Sequence, residues 1–135
     1  MREILFRGKR LDNGEWIEGS LLKVTAENKP YYLIFGDNFS FDGKDAKALS
    51  HAAVITETVG QFTGLTDKNG KKIFEGDIVD ILTENEEIGI VAYEDGGFLV
   101  NADGFCVDFH SNINGTDLEI IGNIHDNPEL MRAQS

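Results

Sequence analysis

Residues 60–81 read GQFTGLTDKNGKKIFEGDIVDI, and the reading of this stretch decides the fold. Its middle, TDKNG, fits a hairpin loop: a type I-like turn through Asp67, Lys68 and Asn69, followed by Gly70 in the left-handed region. Asp67 is placed to close that turn with its own carboxylate on a nearby backbone N–H. FEGDIV then sets Gly76 at a strand entrance, where a bend, a bulge or a close backbone approach is required. Gly-Asp followed by aliphatic residues recurs at strand starts in SH3-like barrels, an analogy that concerns fold and carries no function. The stretch therefore reads as the frame of a small β fold, with Gly64, Asp67, Asn69, Gly70, Gly76 and Asp77 as its structural residues.

Strand signals recur at short intervals beyond this frame. KKIFEGDIVDIL, EIGIVAYED, GFLVN, GFCVDFH and DLEIIGNI are separated by TENE, EDGG, NADG and SNINGT. That spacing predicts a mainly β chain with a small antiparallel barrel-like or sandwich fold. In FCVDFH, Phe105, Val107 and Phe109 alternate with Cys106, Asp108 and His110, giving a buried face and a wetter one. The buried face is expected to meet Ile90, Leu99 and Ile120. GDIVDIL is apolar at Ile78, Val79, Ile81 and Leu82, which predicts a central strand covered on both faces. Gly122 and Asn123 belong to the structural motif near the end of the chain, and Pro128 opens a short C-terminal helical turn at PELMRAQS.

Upstream, ILFRGKR and EWIEGSLLKV flank Asp12-Asn13-Gly14, whose Asn-Gly step predicts an N-terminal β-hairpin. YYLIF (31–35) predicts a short buried strand, and AVITETVGQFTGL a continuous extended run. KDAKALSHAA (44–53) fits a helical turn with Ala46, Leu49 and Ala53 on one side. The expected organisation is an N-terminal β section with a variable loop over residues 1–58 and a C-terminal barrel-like section over 59–135. No Pro/Ser/Gly linker separates them, so one compact unit is expected.

At 135 residues the chain can bury one sizeable core or two small ones. Its start, MREILFRGKR, lacks the apolar segment of a signal peptide, and no apolar run approaches the roughly 18–20 residues that span a bilayer. Cys106 is the single cysteine, which excludes an internal disulfide framework and fits a reducing compartment. A soluble, cytoplasmic protein without a membrane role is expected. The net charge of -12 is unevenly divided. From Ile73 to Met131 there is no Lys or Arg, whereas Asp and Glu occur fourteen times; residues 1–72 carry eleven basic and ten acidic side chains. The acidic part repels phosphate backbones, so direct nucleic-acid binding through it is disfavoured. Solvated charge that maintains solubility is the bland explanation of the asymmetry, and recognition of a basic partner the specific one.

No motif specifies chemistry. Glu75 and Asp77 share a strand face and could offer two metal ligands, but Asp80 points the other way unless Gly76 marks a bulge. His51, His110 and His125 show no ligand spacing. Cys106 sits in an alternating strand without a nucleophile elbow, DKNG and EDGG are not calcium loops, and GQFTGLTDKNGK is not a phosphate loop. Neither a catalytic residue, nor a cofactor, nor a metal site is expected.

Three segments together, MREILFRG, GQFTGLTDKNGKKIFEGDIVDI and LEIIGNIHDNPEL, resemble the YopX family of small phage and prophage proteins. The middle motif is long and specific, and the flanks match at corresponding places, so the resemblance spans the chain. It implies a mostly β fold, a phage or prophage origin and no established activity. The expected role is a non-catalytic interaction or assembly module in the bacterial host cell, self-associating into a homo-oligomer, with a host protein as a further candidate partner. Its candidate interface is the basic group Arg2, Arg7, Lys9 and Arg10. The alternatives are an acidic decoy that mimics DNA toward a host nucleic-acid-binding protein, and a hydrolase or metal-dependent enzyme with its site at a subunit interface.

Overall fold

The computed structural model describes residues 4–36, 52–82, 87–102, 105–109 and 114–132. The described chain is mostly β, arranged in antiparallel sheets with almost no helix and no closed barrel. It divides into two compact units, Met1–Gln61 and Phe62–Ser135.

In the first unit, β1 (Phe6–Lys9), β2 (Trp16–Ala26), β3 (Lys29–Phe35), β4 (Ala53–Val54) and the start of β5 (Gly60–Thr66) lie in the order β4-β3-β2-β1-β5. β1 and β2 form the expected hairpin, closing at Lys9↔Trp16. The loop is longer than a two-residue Asn-Gly turn: the Arg10 N–H donates to the Glu15 carbonyl at 2.9 Å, and Gly14 takes a φ of 73°. A second hairpin stands where only a buried strand was expected. Glu27 and Asn28 have φ of 51° and 66°, the left-handed pair of a two-residue turn, and β2 pairs with β3 from Ala26↔Lys29 to Ser20↔Phe35. Only Leu33 and Ile34 of YYLIF are buried; Tyr31 lies toward the hairpin tip and is exposed.

AVITETVGQFTGL is not one extended run. A 3-10 turn, Thr56–Thr58, separates β4 from β5. The Thr58 hydroxyl donates to the Ile55 carbonyl at 2.6 Å and accepts the Lys9 N–H at 2.9 Å, so the turn is fastened to β1. Local bonds of this kind compete with strand formation, and here they prevail. The helical turn expected over 44–53 lies outside the described residues except at its end, where Ala53 pairs with Leu33 in β structure.

In the second unit, β5 continues and pairs with β6 (Lys72–Phe74). A five-stranded sheet follows: β7 (Asp77–Ile81), β8 (Glu87–Glu94), β9 (Gly97–Ala102), β10 (Phe105–Asp108) and β11 (Leu118–Asn123), in the order β10-β9-β8-β7-β11. A single-turn helix, α1 (Glu129–Arg132), follows β11. β7 lies between β8 and β11 and is buried at all positions but Asp80, which accounts for its apolar run. Ile73, Val79, Ile81, Val91, Val100 and Leu118 form one core cluster, with Leu65, Val107, Phe109 and Ile120 packed on it, and Phe62, Phe74, Ile78 and Phe98 are buried as well. The β5–β6 hairpin thus covers one face of the sheet in a sandwich-like arrangement.

The β8–β9 turn fixes what that face contains. Asp95 and Gly96 both have positive φ, 53° and 83°, so Glu94 opposes Gly97 and Val91 opposes Val100. β10 continues the row with Val107 opposite Val100. Val107 and Phe109 therefore pack on Val91 and Val100, not on Ile90 and Leu99, which project from the other face. Ile120 packs on the core as expected, and Cys106 is exposed. The Phe105 side chain lies outside the described residues.

Ile73→Ala removes a fully buried core side chain and is expected to cost about 2–5 kcal/mol in urea unfolding. Leu99→Ala, on the face of the five-stranded sheet turned away from the β5–β6 hairpin, should cost less than half as much. Equal costs would show that the two faces are misassigned.

Candidate functional site

Asp67 is 2% exposed, and three backbone N–H groups meet its carboxylate. Oδ1 accepts from Asn69 at 2.9 Å and from Lys71 at 2.9 Å, while Oδ2 accepts from Ile120 of β11 at 3.0 Å. The turn itself is closed by the Gly70 N–H on the Asp67 carbonyl at 3.0 Å, with Gly70 at a φ of 82°. The Lys68 N–H donates to the Leu118 carbonyl at 3.0 Å, a second bond from loop to strand. Lys68 Nζ and Asn69 Nδ2 also face Glu119 Oε2, at 3.5 and 3.4 Å. Burial pushes the Asp67 carboxyl up. The N–H groups of Ile120, Lys71 and Asn69, helped by the Lys71 charge, outweigh burial and hold its pKa below the ordinary 3.8.

The second half of the motif works in the same way. Asp77 is 1% exposed and accepts the Phe74 N–H at 2.8 Å across the bend between β6 and β7. Gly76, at a φ of 93°, donates its N–H to the Val91 carbonyl at 2.8 Å and accepts the Ile124 N–H at 3.0 Å. Asn123 Oδ1 accepts from the N–H groups of His125 and Asp126 at 3.0 and 2.9 Å. Gly122 leaves room for Asn127: a Cβ there would stand 2.6 Å from Asn127 Oδ1, which accepts the Asn123 N–H at 3.3 Å. Gly64 is exposed with a φ of 92°, where the β5–β6 pairing is irregular. The motif residues bind backbone and hold turns. Asp67 and Asp77 take up backbone donors, an arrangement suited to framing rather than to acid–base chemistry.

The basic group is arranged differently from its sequence clustering. Arg7 and Lys9 project from one face of β1 over the Trp16 ring, their charged groups 4.7 and 5.7 Å from its centroid. Nε and Nη2 of Arg7 are shielded from solvent. Arg10 is ion-paired with Asp12, and Arg2 lies outside the described residues. Packing against Trp16 thus draws part of this charge inward, a coupling that sequence spacing did not reveal.

No group of three or more His, Cys, Asp or Glu side chains that could hold a metal is present among the described residues. His51 and His110 lie outside them, and His125 is half-buried in the turn after β11. Among the described residues no helix is long and apolar enough to cross a membrane.

An antiparallel β chain whose signature residues bind its own backbone is the class of protein that fold and site define. The chain belongs to the YopX family, whose model, described as YopX protein, matches residues 5–132. It is similar in fold to protein EF1440 from Enterococcus faecalis, a crystal structure, with a TM-score of 0.52 and 23% identity over 97% of this chain and 99% of that one. No curated protein matches it.

Asp67→Ala leaves three N–H groups without their charged acceptor and is expected to cost about 2–4 kcal/mol. The unfolded carboxyl protonates near 3.8 and the folded one only at lower pH, so this stabilisation is complete above 3.8 and disappears as pH falls through the folded pKa. The parent's melting temperature should therefore fall more steeply below about pH 4 than that of Asp67→Asn. Parallel pH profiles would exclude the clamp. Gly70→Val should cost about 1–3 kcal/mol through its positive φ alone, since a Cβ there meets nothing within 4 Å. An unchanged melting temperature would remove that assignment.

Proposed function

We propose that this protein is a phage- or prophage-encoded, non-catalytic assembly module that associates with further copies of itself. The observation that carries this reading is the outer face of the five-stranded sheet. Asp80, Glu94, Asp108 and Glu119 occupy positions on that face, set by the pairs Asp80↔Ile88, Glu119↔Asp80, Leu99↔Asp108 and Glu94↔Gly97. Between them lie the half-buried aliphatics Ile88, Ile90, Ala92 and Leu99, next to Ile78 of the same face, which the chain itself buries completely. No Lys or Arg occurs anywhere from Ile73 to Met131, so the strands of this sheet supply no cation to it. An apolar centre rimmed by one sign of charge is the composition of a protein interface: the centre contributes affinity, and the rim contributes specificity and association rate. Lys68 of the β5–β6 loop faces Glu119, and further cations for this rim are available in residues 1–72 of a second copy.

Light scattering across salt and protein concentration tests this. Assembly is expected at low salt and should weaken as the Debye length falls from about 10 Å at 0.1 M to about 3 Å at 1 M. Asp80→Asn combined with Glu94→Gln should weaken it further at low salt. A parent that is monomeric under every condition would overturn the reading.

A further inference from the structure

We infer that the β2–β3 hairpin is a docking arm, and that its occupant site is the carboxylate-rimmed sheet face of a second copy of this chain. The inference rests on the self-association reading and names the surface that performs it. Residues 22–31 are exposed at every position except Val24, on both faces of the hairpin, so this part of the ladder is not covered by the chain's own core. Here the register sets Leu22 opposite Leu33, Val24 opposite Tyr31 and Ala26 opposite Lys29, which places Leu22, Val24, Tyr31 and Lys29 on one face. Leu22 is 48% and Tyr31 39% exposed. The turn at Glu27 and Asn28 has the two-residue geometry that matches strand twist, so the arm is ordered before docking and loses little conformational freedom on binding.

The chemistry of the two surfaces is complementary. The arm face offers two aliphatics, a tyrosine and the Lys29 ammonium, with Lys23 on its reverse side. The acceptor face offers Ile88, Ile90 and Leu99 beside Asp80 and Glu94, with Asp108 and Glu119 further along it and Glu119 already facing Lys68 of its own chain. Apolar centre against apolar centre, with lysine at the acidic rim, fixes both affinity and register. A second copy is the occupant that this charge division selects, because one sequence carries both halves of the match. Donor and acceptor are different surfaces, so the association is head-to-tail and either closes into a ring or continues as an open chain.

Complementation between two variants tests this directly. Leu22→Ser with Tyr31→Ser removes the donor; Ile88→Lys with Leu99→Lys blocks the acceptor. Circular dichroism and melting curves establish that each variant is folded, and Lys29→Glu is a milder donor variant that keeps the arm's apolar residues. Under conditions in which the parent assembles, each double variant alone should be monomeric. Their equimolar mixture should form a dimer and nothing larger, since one intact donor meets one intact acceptor. Lys29→Glu should weaken association, chiefly by slowing it and most at low salt. A donor variant that assembles like the parent would overturn the arm while leaving self-association standing. A mixture that stays monomeric would overturn the pairing of these two surfaces. A parent that never assembles would overturn both readings.

Discussion

The Asp67 carboxylate is the contact on which the second unit depends. A buried carboxylate is costly unless its lone pairs are engaged, and here backbone N–H groups from the hairpin loop and from β11 engage them. One side chain thereby satisfies its own turn and joins it to a strand more than fifty residues later, with |i−j| = 53. The loop-to-strand bond from Lys68 to Leu118 lies beside it, and Ile73 and Leu65 then fall onto the sheet core. Hairpin geometry, sheet edge and core are coupled through a single group.

Much of this was legible in the sequence because it is local. TDKNG specifies its turn through neighbouring residues, and FEGDIV marks the bend at Gly76 by the same kind of chemistry. The alternation in FCVDFH correctly placed Cys106 outside and Val107 and Phe109 toward the core. What was not legible is what depends on distance or on unusual turns. Asp67 was expected to bond its own loop; nothing in its neighbours indicates Ile120. Glu27-Asn28 carries no glycine, so the β2–β3 turn gave no signal. Ile90 and Leu99 were expected in the core because composition alone does not fix parity; the Asp95-Gly96 turn does, and it directs Val91 and Val100 inward.

The charge asymmetry was visible from the outset, but its spatial meaning was not. Clustering along the chain made Arg7, Lys9 and Arg10 look like one basic patch. In three dimensions a π-face and an aspartate divide them: Trp16 takes Arg7 and Lys9, and Asp12 takes Arg10. The acidic residues, by contrast, are brought together by pairing, since Asp80, Glu119 and Asp108 share a face only through strand register. Sequence neighbours were separated and sequence strangers assembled.

The polar motif residues Asp67, Asp77 and Asn123 are turned toward the chain's own backbone. Similarity in that motif therefore certifies a scaffold and is silent about what the scaffold is used for. The outward-facing strands can change without disturbing the bonds made at Asp67, Gly76 and Asn123. Transferring a role from one protein to another on the strength of these residues would mistake shared architecture for shared purpose.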